Sequence, residues 1–126
     1  MININIKKDC GNSPKNLFLQ RMTIAFAEGD VDTILEVVAE DFCWNKIGEK
    51  LIQGKTNLIK ELDHYSPTKV EELTILHALT HGKAGAVDGR IKFSNGKMAA
   101  FCDVYEFTSA KGVSVKEITS FVIELK

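Results

Sequence analysis

The fold turns on AGAVDGRIKFSNGKMAAFCDVYEF, residues 84–107. Two extended runs flank Asn95-Gly96, a dipeptide suited to a two-residue hairpin turn. Such a turn sets Ser94 opposite Lys97, then Arg90 opposite Phe101 and Asp88 opposite Asp103. Along the second run, one face carries Phe101, Asp103, Tyr105 and Phe107, because side chains alternate on a strand. A packed core does not accept a lone charge, and an open face needs no rings. The carboxylate among three aromatics is therefore the leading clue to a site as well as to the sheet.

Working outward, the same alternation gives four strands at about 70–81, 84–93, 97–107 and 113–125, joined by short turns containing glycine. That is an antiparallel meander. Upstream the period changes to that of helices. Ser13-Pro14 reads as a cap followed by proline at the first helical position. Leu17, Phe18, Met22, Ala25 and Phe26 give that helix one apolar face. Gly29 stops it and Asp30 caps the next, whose buried side is read as Ile34, Leu35, Val37, Val38 and Phe42. FCWNKIG is a short extended piece, followed by a turn and KLIQG. Thr56 caps a third helix running to about His64, and Ser66-Pro67 ends it. Residues 1–12 form an N-terminal arm with a weak strand at 2–7. Helices first and strands after predict an α+β domain spanning 1–126, with helices on the concave face of a curved meander sheet and a pocket between them.

Composition narrows the function. The chain has 126 residues, 44% hydrophobic and 26% charged, with a formal net charge of −1. No basic surplus exists to neutralise phosphates, so nucleic acid is not an expected partner. Apolar runs are too short to span a bilayer. MININIKKDC lacks the charged region followed by an apolar stretch that marks a secretory signal. Cys10, Cys43 and Cys102 are odd in number and form no CxxC pair, which fits reduced thiols in a cytoplasm. His64, His77 and His81 make no ligand spacing with them, so no metal site is expected.

The last hairpin has a longer loop, TSAKG. That loop can close in several ways, but Val113, Val115, Phe121, Ile123 and Leu125 share one parity. If their face also carries Phe101, Tyr105 and Phe107, a five-residue loop pairs Asp103 with Glu117 and Phe101 with Thr119. The interior then holds Asp88, Asp103 and Glu117, with Arg90 as the nearby cation, whereas a one-residue slip removes Glu117 from the group. Directly opposed side chains lie roughly 5 Å apart at Cβ, so a carboxyl there holds its proton or meets a cation. Trp44 and Lys46 point to one side of their strand, as a pocket wall and as either an inward cation or a snorkelling one. His77, among Leu73, Ile75 and Leu79, reads as a core or interface histidine. His81 reads as exposed, and His64 as a cation at a helix end.

FLQRMTIAFAEGDVDTILEVVAEDFCWNKIG, GKTNLIKEL, CDVYEF and ITSFVIEL together resemble the NTF2-like superfamily, in the style of its SnoaL-like members. The resemblance covers the chain from about residue 14. It implies a cone-shaped α+β fold and a small-molecule pocket. It also implies pairing of two copies through the outer sheet face, read here as Cys102, Val104, Ile118 and Val122. In the ketosteroid isomerases of this superfamily, CDVYEF matches the late-strand motif, so Asp103 falls on the position of the oxyanion-binding carboxyl. The tyrosine position is Met22, however, and the general-base position falls at or next to Lys46. Asp88 and Arg90 are similar to part of the Asp–Arg–Asp set of related epoxide hydrolases, but in reversed order and with no Asp in ITSF. The resemblance thus implies pocket binding of a small, mostly apolar molecule, with two alternatives. One is cofactor-independent acid/base chemistry by Asp103, Asp88 and Arg90. The other is a non-catalytic binding or dimerising module. Trp44, Lys46, Phe101, Tyr105, Glu117, Thr119, Phe121 and Met22 line the expected pocket.

Overall fold

The computed structural model describes residues 2–7, 10–64 and 69–126, without the side chain of His64. The expected stop at Ser66-Pro67 and the role of the His64 side chain lie outside the described residues. In chain order the elements are β1 (Asn3–Ile6), α1 (Pro14–Glu28), α2 (Val31–Val37), β2 (Val38–Lys46), β3 (Lys50–Gln53) and α3 (Gly54–His64). Four long strands follow: β4 (Val70–His81), β5 (Ala84–Phe93), β6 (Met98–Phe107) and β7 (Val115–Leu125). They form one seven-stranded sheet in the order β1-β4-β5-β6-β7-β2-β3. β4 to β7 are the antiparallel meander. β1 joins its edge parallel to β4, and β2 lies parallel to β7.

Both ends of α1 and the start of α2 follow their sequence signals. Ser13 accepts a hydrogen bond from the Asn16 amide at 3.2 Å, and Pro14 opens α1. Gly29 takes a left-handed conformation, φ 70°, that ends it. Asp30 then caps α2, accepting from the Thr33 amide at 3.3 Å and its hydroxyl at 2.7 Å. Phe18, Leu19, Met22 and Ala25 are buried, and α1 packs on β4 and β5 while α3 packs on β2.

The last strand starts at Val115 rather than about 113, and two helix boundaries differ from the sequence reading. α2 ends at Val37, so Val38 and Phe42 belong to β2. The β-branched Val37-Val38 pair suits a strand, and β7 offers an edge whose unpaired backbone groups β2 satisfies. α3 starts at Gly54, two residues before Thr56.

The largest departure is at the β5–β6 turn. The Phe93 amide donates to the Lys97 carbonyl at 2.8 Å and the Gly96 amide to that of Phe93 at 2.9 Å. Gly96 has φ 87°, whereas no described residue other than glycine has positive φ. Asn95 thus lacks the backbone that a two-residue turn of this type demands. It uses its side chain instead, accepting from the Lys97 amide at 2.9 Å. The loop therefore holds three residues, Ser94 to Gly96, a common alternative with glycine at the left-handed position. One added loop residue slips the register by one and turns one strand's faces over. Val87, not Asp88, lies opposite Asp103; Asp88 faces Cys102, and Arg90 faces Ala100.

β7 is displaced as well. An irregularity between Glu106 and Phe107 sets Phe107 against Val115 but Glu106 against Glu117, Asp103 against Ser120 and Phe101 against Val122. The parity that linked Val113 and Val115 to Phe121 and Ile123 breaks at this point. Val115 and Ile118 are both buried, while Phe121 and Ile123 are 43% and 67% exposed.

Candidate functional site around Asp103

On the face of the sheet that the helices cover, register lines up Lys46, Ser120, Asp103, Val87 and Ala78 in one row. The next row holds Trp44, Ile118, Tyr105 and Gly85. Phe101 sits on the other side of Asp103, opposite Gly89. Gly89 has no substitute there: a Cβ would strike the Thr74 carbonyl oxygen and come within 3.0 Å of the Phe101 ring.

Asp103 is partly buried and sits on the same face as Phe101, Tyr105 and Phe107, all three buried. Its partner is Ser120, whose hydroxyl donates to Oδ1 at 2.6 Å. Trp44 Nε1 donates in turn to Ser120 Oγ at 2.8 Å. Burial pushes the Asp103 carboxyl from 3.8 to about 6, against the downward pull of the Ser120 hydrogen bond. Burial also holds the Tyr105 phenol well above its ordinary range, and the Asp103 charge adds to this. A carboxyl poised near neutrality on an aromatic face can exchange a proton with a bound molecule.

Lys46 points inward and is buried. Its Nζ meets Glu61 of α3 at 2.8 Å and stands 4.9 Å from the centre of the Trp44 ring. Lys50 reaches the same carboxylate at 2.9 Å. Burial would raise the Glu61 pKa, but hydrogen bonds from the two lysines outweigh it and lower it. Lys46 is thereby engaged as a structural cation beside the Trp44 wall. Met22, on the buried side of α1, is a core residue.

The rest of the expected set lies on the outer face. Asp88 bonds His77 there, Nδ1 to Oδ1 at 2.8 Å, so His77 is a surface residue rather than a core one. Arg90 is exposed. Glu117 faces Glu106, Thr119 faces Val104, and Phe121 faces Cys102. Asp88, Arg90, Glu117, Thr119 and Phe121 are therefore not companions of Asp103; each was misplaced by one of the two register slips. Ile118 and Val122 move the opposite way, to the inner face. Two hollows are present elsewhere. One is an outer groove of about 350 Å³ among His77, Leu79, Asp88, Cys102, Phe121 and Ile123. The other, about 280 Å³, lies beside the β5–β6 turn with Met98, Val122 and Glu124. Asp103 lines neither.

Sequence reasoning missed Ser120 and Glu61. The buried tryptophan and aspartate each need a partner, and ITSF offers a hydroxyl; the wrong register hid it. Among the described residues no cluster of three or more His, Cys, Asp or Glu is arranged for a metal ion. No described helix is long and apolar enough to cross a membrane.

No family model matches the sequence. Solved structures do match. An NTF2-like protein of unknown function from Burkholderia pseudomallei is 17% identical, with 89% of this chain and 92% of that chain covered and a TM-score of 0.71. The chain has the NTF2-like fold. A second NTF2-like protein of unknown function, from Cytophaga hutchinsonii, is 22% identical over 82% of this chain and 95% of its own, with a TM-score of 0.66. An LEH-like epoxide hydrolase from M. tuberculosis shares the NTF2-like fold at 16% identity over 79% and 74%, with a TM-score of 0.64. At these identities the likeness is one of fold.

Proposed function

We propose that the chain is a cytoplasmic, bacterial SnoaL-like protein whose concave face binds a small, mostly apolar organic molecule. There Asp103 moves a proton in cofactor-independent chemistry of the isomerase, cyclase or lyase type. The observation that carries this reading is Asp103 itself. A carboxyl partly buried among Phe101, Tyr105 and Trp44, with its pKa raised to about 6, costs stability and forms no ion pair among the described residues. Apolar walls supply affinity, and one polar group fixes orientation. The site departs from that of a ketosteroid isomerase, since Met22 and Lys46 stand where its tyrosine and base are expected.

Trp44 is the single tryptophan, and it is two hydrogen bonds from Asp103. Its fluorescence is therefore the assay. Small cyclic ketones and phenols titrated into the protein should change Trp44 emission saturably, and Asp103→Asn should weaken the response. A panel that leaves the emission unchanged at millimolar concentration overturns the reading.

A second reading is favoured by the outer face. Leu79 on β4, Val104 on β6, and Phe121 and Ile123 on β7 are exposed apolar side chains of the meander. A face of this kind is suited to a second copy of the chain in a non-catalytic dimerising module. Sedimentation should then give a dimer that Phe121→Glu converts to a monomer; a monomeric parent protein refutes this.

A further inference from the structure

We infer that Trp44 and Ser120 form a relay that positions Asp103 as a hydrogen-bond acceptor with one oxygen left for a ligand. The concave site then takes molecules that offer it a proton, through a hydroxyl, an N–H or an activated C–H. Molecules that offer only an ether or carbonyl oxygen are disfavoured. The ligand preference rests on the concave-face reading above; the relay does not.

The argument is one of donor and acceptor counting. An indole N–H only donates. At 2.8 Å it occupies one lone pair of Ser120 Oγ. The serine hydroxyl has a single proton, and its acceptor is Asp103 Oδ1 at 2.6 Å. That separation lies within the roughly 2.5–2.7 Å range of hydroxyls bonded to a charged oxygen. Were Asp103 to donate to Ser120 instead, the serine proton would need another acceptor. Among the described residues Ser120 has none besides Asp103. Oδ1 is therefore occupied, while Oδ2 has no hydrogen-bond partner among those residues. A ligand meets a lone, fixed acceptor oxygen.

The direction of proton flow follows. The resemblance implied a protonated carboxyl that donates to developing negative charge. A carboxyl at about 6 is instead mostly ionised at cytoplasmic pH, which suits a base. Ser120 keeps it so by favouring the charged form, and Trp44 orients Ser120. Ser120 and Trp44 are positioning residues, since neither needs to touch the reacting atoms.

The test is a carboxyl ¹³C titration of Asp103 in the full chain and in Ser120→Ala, with phenol and its methyl ether, anisole, as probes. Loss of one hydrogen bond to a charged group should raise the Asp103 pKa by about one unit or more in Ser120→Ala. Ser120→Cys, which retains a weak donor, should give a smaller rise and serves if the alanine variant does not fold. Trp44→Phe should also raise it, by less than Ser120→Ala. By chemical-shift perturbation at pH 8, phenol should bind the parent protein about tenfold or more tightly than anisole, as one hydrogen bond to a charged group allows. At pH 5 the preference should vanish. An Asp103 pKa unmoved in both serine variants overturns the relay. Anisole binding as well as phenol at pH 8 overturns the ligand preference. A shifted pKa with neither probe bound upholds the relay and removes the concave-face reading instead.

Discussion

Asp103→Asn should stabilise the protein at neutral pH. Burial raises the folded-state pKa of this carboxyl from 3.8 to about 6. The folded chain therefore holds the proton more tightly than the unfolded chain. The stability linked to that proton is present in full below the unfolded pKa and is lost as pH rises through the folded one. At roughly 1.36 kcal/mol per pKa unit, the ionised carboxyl costs the native state about 3 kcal/mol above pH 7. Asparagine carries no charge, and its carbonyl oxygen can still accept from Ser120. That cost already includes the charge-assisted bond from Ser120, which lowers the pKa against burial. The variant should gain about 3 kcal/mol at pH 7.5, and only about 0.5 kcal/mol at pH 4, where the folded carboxyl is neutral and the unfolded one roughly half ionised. Urea unfolding of both proteins at the two pH values measures this, with equal m-values as the check on two-state behaviour. A variant that is less stable than the parent at pH 7.5, or a difference independent of pH, refutes the reasoning. Such a gain would fit a group kept for function at the expense of stability.

Further changes test the frame around the site. Lys46→Met leaves Glu61 with Lys50 alone and should cost about 2 kcal/mol in urea unfolding; adding Glu61→Gln should recover most of it. Gly89→Ala should cost about 3 kcal/mol or prevent soluble expression, because its Cβ has no space beside the Thr74 carbonyl and the Phe101 ring. Ser13→Ala removes the cap of α1 and should cost about 1 kcal/mol by the same assay.

The fold was largely legible in the sequence, and the site only in part. Ser13-Pro14, Gly29 and Asp30 act locally, so their signals held within a residue. The four long strands were legible from alternation and glycine-bearing turns. Register was not, because it depends on how a turn closes, and Asn95-Gly96 is compatible with two closures. The structure uses the one in which Asn95 bonds Lys97 through its side chain. The irregularity at Glu106 and Phe107 was equally invisible, since Val113 and Val115 match Phe121 and Ile123 in parity. Asp103 survived both slips because its aromatic neighbours lie on its own strand. Asp88, Arg90 and Glu117 were assigned across strands, and each fell on the other face. Phe42 was misread because an apolar residue at helical spacing from Val38 is also at strand spacing from Trp44. The parallel partner that decides between them, β7, lies 74 residues downstream by the Asn45–Thr119 pairing.

The central claim is that Asp103 is a partly buried carboxyl poised for proton exchange on the concave face. Its carboxyl ¹³C titration in the unmodified protein tests this most directly. The account predicts a midpoint of about 6, moving when a small cyclic ligand binds. A midpoint near the ordinary aspartate value of about 3.9, indifferent to every ligand, would contradict it.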